Sequence, residues 1–278
     1  MESINNFWNK LEQDIEPPKY LRQVKILSYK KFNKIISERK SKSIKKIAKD
    51  LYSGDVYIIR NTVSSTFLEN LKEKLLEWSW KEKSKFHKMI ENCPNFWRNI
   101  DKNNSKKYSI RAIRKAYYFF RWNKSSIKVW EKFNKPWGCV KFLGGLKFNS
   151  FINNTPKDGV IDRIQVVNYP ENKGYIAPHQ HNPKHQRVLI SLYMSEIKKN
   201  FNKGGTYFYK KKKKINIEKK IKCGDLGLFY ATMIHGVDKV QAIKGKRKND
   251  GRWWIGLYSP ESNLTKKKRT TSNSVYLN

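Results

Sequence analysis

The second half of the chain is divided into short runs rich in β-branched and aromatic residues, and this division limits the fold more than any other feature. The runs are RAIRKAYYFFRW, GVIDRIQVVNYP, QRVLISLYMS, GGTYFY, GDLGLFYA and GRWWIGLYS. Turn signals containing Gly, Asp or several lysines separate them, and we expect no helix between them. Short strands joined by turns favour an antiparallel sandwich or jelly roll. The sequence therefore predicts a mainly β fold with flanking helices.

The first part of the chain is more polar and carries helical patterns. Residues 30–50 place isoleucines on one side of a lysine-rich segment, which predicts a solvated helix. A β-like run at 55–60 is followed by Ser64 or Ser65 as the N-cap of an amphipathic helix that continues to Trp78. Residues 79–109 have no clean periodicity and are predicted to be an irregular connection.

These patterns predict three parts of the chain, which with 278 residues is long enough for one large domain. Residues 1–53 form an N-terminal helical extension, and residues 54–259 form the β domain. Residues 260–278 form a basic, polar C-terminal tail.

The chain is strongly basic, with 60 Lys and Arg against 23 Asp and Glu and a formal net charge of +37. Such a charge is typical of proteins that bind nucleic acid or anionic surfaces. The lysines, however, occur throughout the chain and accompany many Asn and Ile residues, a composition that AT-rich codons also produce. Nucleic acid is therefore a less favoured partner than a small molecule.

The cysteines and the apolar segments indicate a cytoplasmic protein. Cys93, Cys139 and Cys223 are far apart and form no CxxC pair, so the sequence predicts neither a disulfide framework nor a zinc ribbon. The N-terminus has no basic segment followed by an apolar run, and no stretch approaches the length of a transmembrane helix. The oligomeric state is left open.

Three of the five histidines lie within the segment GYIAPHQHNPKHQR, residues 174–187. His179 and His181 follow a predicted strand, and in extended chain their spacing directs both side chains to one face. His235 comes later, at the end of another predicted strand, and closure of a small barrel would bring it opposite the first two. His185 lies among basic residues in a turn, where an exposed histidine is more common than a ligand.

The order of these features resembles that of the Fe(II)- and 2-oxoglutarate-dependent oxygenases with a double-stranded β-helix. The resemblance covers residues 54–259, through NYPENKGYIAPHQH, LISLYMS, GGTYFY, GDLGLF, HGVDKV and GRWWIGLYS. It implies a jelly-roll core, an iron site at His179 and His235, and Fe(II) with 2-oxoglutarate and molecular oxygen as co-substrates. Arg252 matches the arginine that holds the distal carboxylate of 2-oxoglutarate in this family.

The residues of the predicted strand DRIQVVNYP also contribute to the expected site. Period-two alternation puts Gln165, Val167 and Tyr169 on one face. Because this face carries hydrogen-bonding groups, we expect it to line the pocket, with Tyr169 contacting the co-substrate. Lys246, Arg247 and Lys248 are competing candidates for the anion, but they lie in a predicted turn.

One departure from the family pattern changes the chemistry of the site. The family's iron ligands are two histidines and one carboxylate, and His181 occupies the carboxylate position. Three alternatives follow: a three-histidine iron site, a site in which His181 turns away and a nearby carboxylate or His185 replaces it, or a degraded site that only binds.

The lid-like segments that would select the substrate are residues 79–109, 144–158 and 195–204, and they carry no recognisable motif. The default expectation is therefore hydroxylation or desaturation of a small molecule. Two other functions remain open. One is a three-histidine dioxygenase of the cupin type that does not use 2-oxoglutarate, which an arginine at position 252 disfavours. The other is a non-catalytic module, for nucleic acid among other ligands, with a vestigial metal site.

Overall fold

The computed structural model describes residues 3–108, 110–125, 127–245, 251–266 and 272–275, which contain five α-helices and thirteen β-strands. The helices are α1 Ile4–Asp14, α2 Tyr29–Ser37, α3 Ser41–Tyr52, α4 Ser65–Lys81 and α5 Val129–Leu143. The strands are β1 Val24–Ser28, β2 Val56–Arg60, β3 Phe96–Ile100, β4 Ala112–Phe120, β5 Arg163–Tyr169, β6 Tyr175–His181, β7 Val188–Tyr193, β8 Lys203–Lys210, β9 Lys213–Asn216, β10 Leu226–Tyr230, β11 His235–Gln241, β12 Arg252–Tyr258 and β13 Ser272–Ser274.

The strands form a double-stranded β-helix, as the sequence predicts. The larger sheet has the order β1-β2-β10-β7-β12-β5-β4, with β3 added beside β4. The smaller sheet has the order β6-β11-β8-β9, with β13 beside β6, and β4 also pairs with β6 and so joins the two sheets. Nearly all of these pairings are antiparallel, which is typical of a jelly roll.

Two apolar clusters hold the architecture together. The larger cluster joins the helices to the larger sheet and includes Trp8, Phe133 and Trp137, which are almost completely buried. The smaller cluster includes Tyr118, Tyr169 and other residues from several strands. The helices therefore cover one side of the larger sheet and leave its other side to face the cavity described below.

The first 53 residues contribute to the sheet as well as to the helices. Strand β1 pairs in parallel with β2, from Val24 opposite Val56 to Ser28 opposite Arg60. Arg22 and Lys25 form ion pairs with the buried carboxylate of Asp55. The division of the chain at residue 53 stays a prediction, and this segment packs directly on the β domain.

The helical pattern of residues 30–50 belongs to two helices. Helix α2 ends at Ser37 and α3 begins at Ser41, with Arg39 between them in the left-handed region at φ 48°. The isoleucines that the sequence pattern places on one side of this segment are buried in both helices. Residues 79–109 are less irregular than expected, because α4 continues to Lys81 and β3 lies at Phe96–Ile100.

Helix α5 lies between the first two β runs, where the sequence predicts no helix. Pro136 and Gly138 disfavour a helix interior and conceal the pattern. Tertiary contacts stabilise the helix nonetheless. The Lys141 ammonium group lies 2.7 Å from a carboxylate oxygen of Asp162, and Gly138 packs against the Phe148 ring so closely that a Cβ atom there would displace the ring.

Strand β13 lies within the predicted C-terminal tail and pairs with β6, with Ser272 opposite His181 and Ser274 opposite His179. Lys246, Arg247 and Lys248, the alternative anion-binding residues, lie outside the described residues. In the part of the chain that the structure describes, no helix is long and apolar enough to cross a membrane.

Candidate metal centre and cavity

His179, His181 and His235 converge at one end of the smaller sheet. His179 and His181 lie on β6, and His235 begins β11 directly opposite His179 in the antiparallel pairing. One ligand atom from each ring lies within 4.8 Å of the other two. The period-two spacing of β6 and the register with β11 together explain why residues so distant in sequence meet.

Hydrogen bonds to the backbone fix the orientation of two of the rings. Nδ1 of His179 lies 2.9 Å from the Ala177 carbonyl oxygen, and Nδ1 of His235 lies 2.9 Å from that of Met233. A carbonyl oxygen only accepts, so each Nδ1 carries the proton and each Nε2 keeps its lone pair. Backbone partners of this kind commonly orient metal-binding histidines.

Burial favours the neutral form of the His179 and His235 imidazoles. Burial lowers the pKa of His235 to about 4. Burial, followed by the neighbouring histidines, lowers the pKa of His179 well below its ordinary value. Neutral imidazole is the form that binds a metal ion, and the donor set therefore suits iron, zinc or another borderline metal.

His181 does not turn away from the other two histidines. Its ring centroid lies 5.0 Å from that of His179 and 5.3 Å from that of His235. His185 lies elsewhere, with Nε2 2.8 Å from a carboxylate oxygen of Glu261. The cluster contains no carboxylate among the described residues, so the geometry disfavours the alternative in which a carboxylate or His185 replaces His181.

The cluster opens into a cavity of about 230 Å³ between the two sheets. A single water molecule needs roughly 10–15 Å³ by the same measure, so the cavity has room for small organic molecules. Gln165 and Tyr169 both line it, on the face that period-two alternation predicts. Thr206 and Tyr193, which the sequence does not single out, line it as well.

Arg252 is buried at the cavity wall but already has an anionic partner. Its Nε donates to Oε1 of Glu218 at 2.8 Å, and Nη2 donates to the hydroxyl of Thr206. The need for a counterion is the reason to expect a bound dicarboxylate at Arg252, and Glu218 satisfies part of that need. Sequence reasoning missed Glu218, although it is the sole acidic residue between positions 201 and 222.

Three buried polar atoms around Arg252, its Nη1 and the hydroxyls of Tyr169 and Tyr193, form no hydrogen bond of good geometry. Tyr169 interacts at longer range with Arg114, and Tyr193 with Thr206. The guanidinium carbon lies 5.8 Å from the Tyr169 ring centre and 5.7 Å from that of Tyr193. Burial raises the pKa of Tyr193, so its hydroxyl stays protonated and able to donate. Because buried donors without acceptors are costly, this group fits a carboxylate that enters from the cavity.

Three more arginines line the cavity, and sequence reasoning missed them: Arg98, Arg114 and Arg163. Arg163 follows the same alternation as Gln165 and Tyr169 on β5, which is the signal that would have revealed it.

Comparison with solved structures supports this architecture. No protein-family model matches the sequence, and no curated protein sequence matches it significantly. A full-length Neurospora crassa protein, solved in complex with alpha-KG and 5-formyluracil, matches with a TM-score of 0.51 and 12% identity, over 85% of this chain and 84% of that chain. The C-terminal truncated apo form of the same Neurospora crassa protein matches with a TM-score of 0.52 and 10% identity, over 84% and 93%.

Identities this low show a common fold. The oxygenase resemblance is confirmed at the level of the fold. Within that fold, the histidine cluster and the cavity of this chain are adjacent, so any function assigned to one must account for the other.

Proposed function

We propose that the protein is an Fe(II)- and 2-oxoglutarate-dependent oxygenase in which His179, His181 and His235 bind the iron. The observation that carries the proposal is the cluster of three imidazoles, two with a fixed ring orientation, beside buried donors that lack an acceptor. In a jelly-roll fold similar to a structure that holds alpha-KG, these two features suit a metal and a carboxylate ligand.

The residues around Arg252 are the proposed site of the 2-oxoglutarate distal carboxylate. Nη1 of Arg252 and the hydroxyls of Tyr169 and Tyr193 would donate to it. Gln165 lies nearby but already accepts a hydrogen bond from Nη2 of Arg163 at 3.2 Å, so its part is to orient that arginine in the cavity. Because Glu218 neutralises Arg252, the tyrosine hydroxyls have a larger share in binding than the sequence suggests.

Bound Fe(II) and 2-oxoglutarate would supply the oxidising chemistry, in which oxygen converts 2-oxoglutarate to succinate and carbon dioxide. The chain itself orients the imidazoles of His179 and His235 through the Ala177 and Met233 carbonyl groups, and burial favours their neutral form. The cavity beside the cluster also has room only for a small molecule. We therefore propose hydroxylation or desaturation of a small molecule as the reaction.

A second candidate is a three-histidine dioxygenase that does not use 2-oxoglutarate. The absence of a carboxylate from the cluster of the described residues favours it, and so does the ion pair between Arg252 and Glu218. The two candidates differ in whether 2-oxoglutarate is consumed.

Succinate formation tests the choice. The iron-loaded protein is incubated with oxygen and 2-oxoglutarate, and succinate is measured against the His235→Ala variant. We expect slow succinate formation in the parent even without its own substrate, and none in the variant. The second candidate would be supported instead if the iron-loaded protein formed no succinate but consumed oxygen together with another organic compound.

A further inference from the structure

Arg98, Arg114 and Arg163 form a positively charged wall of the cavity, here named the arginine wall. They lie on the neighbouring strands β3, β4 and β5. Arg98 is opposite Ala116 in the β3–β4 pairing, and Arg163 is opposite Phe120 on one side and Tyr258 on the other. Their side chains share the inner face of the larger sheet.

The arginine wall has no counterion in the part of the chain that the structure describes. No Asp or Glu lines the cavity. The other described arginines that are not exposed each form an ion pair with a carboxylate: Arg60 with Asp225, Arg121 with Asp162, Arg187 with Glu12 and Arg252 with Glu218. Among the described arginines that are not exposed, the three residues of the wall are therefore the ones without a carboxylate partner.

The guanidinium groups of the wall contact aromatic rings and retain free donors. Arg98 lies 4.3 Å from the Phe86 ring centre, and Arg163 lies 5.3 Å from that of Tyr118. The Nε atoms of Arg114 and Arg163 are buried and have no hydrogen-bond partner. Since ring contacts do not neutralise a charge, three cations beside one cavity are favourable only when an anion enters it.

The wall begins beside the proposed co-substrate group, at Arg114, and extends away from it to Arg163. Arg252 is opposite Tyr169 at one end of the β5–β12 pairing, and Arg163 is opposite Tyr258 at the other end. Arg114 is one residue beyond the Lys115–Asn168 pair, and it therefore lies beside Tyr169, whose side chain it contacts. Six residues of strand span about 20 Å, which exceeds the length of 2-oxoglutarate. The backbone positions of Arg252 and Arg163 are therefore farther apart than one co-substrate molecule is long.

We propose that the substrate is a small polyanion, a phosphate monoester or a dicarboxylate, whose negative groups bind Arg98, Arg114 and Arg163. This inference rests on the proposed function for the reaction and adds the substrate class. A group with a single negative charge would leave most of the wall uncompensated. Phosphate offers about two charges and three acceptor oxygens, and guanidinium groups bind it through paired hydrogen bonds.

Calorimetry on anaerobic protein loaded with Fe(II) and 2-oxoglutarate tests the inference. The probes are inorganic phosphate for the phosphate source and isophthalate for the dicarboxylate source, at matched ionic strength. We expect at least one probe to bind, and Arg114→Gln and Arg163→Gln each to weaken it by about tenfold or more, as expected for loss of a charged hydrogen bond. Arg111→Gln is the matched control, because Arg111 is exposed just before β4 and its change removes the same charge.

Any of four results would overturn the inference. The first is that neither probe binds the parent, and the second is that Arg114→Gln and Arg163→Gln bind the probes as tightly as Arg111→Gln does. The third is that a ten-nucleotide oligothymidylate binds the parent more tightly than both probes and loses affinity in Arg114→Gln and Arg163→Gln. The 2-oxoglutarate charge-transfer band is recorded in each sample. A probe that abolishes this band would assign the wall to the co-substrate and also overturn the inference.

The same titrations in metal-free protein separate the two proposals. Because the arginines need no metal to bind an anion, the probes should also bind metal-free protein. If they bind while the iron-loaded parent shows no charge-transfer band, the proposed function is wrong and the inference about the substrate class stands.

Discussion

His181 occupies the position where the oxygenase pattern has a carboxylate, and this replacement changes the charge of the candidate metal centre by one unit. An Fe(II) ion with three neutral imidazoles keeps its full double charge, whereas one carboxylate ligand would reduce it. A more positive centre attracts anionic ligands more strongly and disfavours a further increase in metal charge. The residue therefore affects both the anion affinity and the redox behaviour of the site.

Removal of one histidine should abolish stoichiometric iron binding. We expect the parent to bind one Fe(II) and His235→Ala to bind none, because two imidazoles without a third protein ligand hold the ion weakly. Metal analysis after anaerobic gel filtration measures this. His185→Ala is the matched control, since His185 pairs with Glu261 outside the cluster. Unchanged iron content in the double variant His179→Ala, His235→Ala would show that the metal binds elsewhere.

Replacement of His181 by Asp should leave a folded, iron-binding protein. Asp is smaller than His and supplies the ligand type that the oxygenase pattern has at this position. Circular dichroism and metal analysis of His181→Asp measure the outcome. Loss of iron in this variant, with a normal circular dichroism spectrum, would contradict the assignment of His181 to the carboxylate position.

Removal of the Glu218 carboxylate should destabilise the fold and increase the stabilisation of the fold by bound 2-oxoglutarate. In Glu218→Gln the buried guanidinium of Arg252 loses its ion pair, which typically costs about 3–5 kcal/mol of unfolding free energy. Urea unfolding measures this, with Glu73→Gln on the exposed side of α4 as the control. We expect 2-oxoglutarate to stabilise Glu218→Gln more than the parent, because its carboxylate would then be the main partner of Arg252. Equal stabilisation of both proteins would place 2-oxoglutarate away from Arg252.

At the scale of secondary-structure elements, the site depends on strand register more than on any single motif. Period-two alternation predicts from sequence that His179 and His181 share a face, and that Gln165 and Tyr169 share another. It could not predict the partner strands, because register depends on contacts between distant residues. For the same reason Glu218 and Arg252, 34 residues apart, were not connected.

Other elements were missed because local propensity opposed them. Helix α5 contains Pro136 and Gly138, and its stability comes from packing on Phe148 and Asp162. Strand β1 is short and only partly buried, so its sequence carries little alternation, and the parallel pairing with β2 stabilises it. The arginine wall was missed because its three residues come from three strands and meet only in the folded sheet.

The turn between β5 and β6 should be sensitive to a single added carbon. A Cβ atom at Gly174 would lie 2.5 Å from the Tyr169 carbonyl carbon, so the backbone would have to move. We expect Gly174→Ala to lower the unfolding free energy by about 1–3 kcal/mol and to weaken iron binding by displacing β6. Urea unfolding and metal analysis measure both effects, with exposed Lys173→Ala as the control. Normal stability together with normal iron content would show that this turn does not position His179.

At the scale of the whole molecule, the net charge of +37 and the arginine wall act in the same direction. A positive molecule with a cationic cavity concentrates small anions and accelerates their association, an effect that falls as ionic strength rises. The lysines are spread along the sequence, whereas the three arginines of the wall line one cavity. This favours a small anionic substrate over nucleic acid.

We propose that one cavity binds iron and 2-oxoglutarate together. Anaerobic titration of the protein with Fe(II) and then 2-oxoglutarate, followed by visible absorption, measures this binding. We expect a metal-to-ligand charge-transfer band that saturates at one 2-oxoglutarate per iron. The band should be absent in His235→Ala, and in Arg252→Ala it should need a higher 2-oxoglutarate concentration. Iron binding without any such band in the parent would show that 2-oxoglutarate does not bind the iron in this cavity.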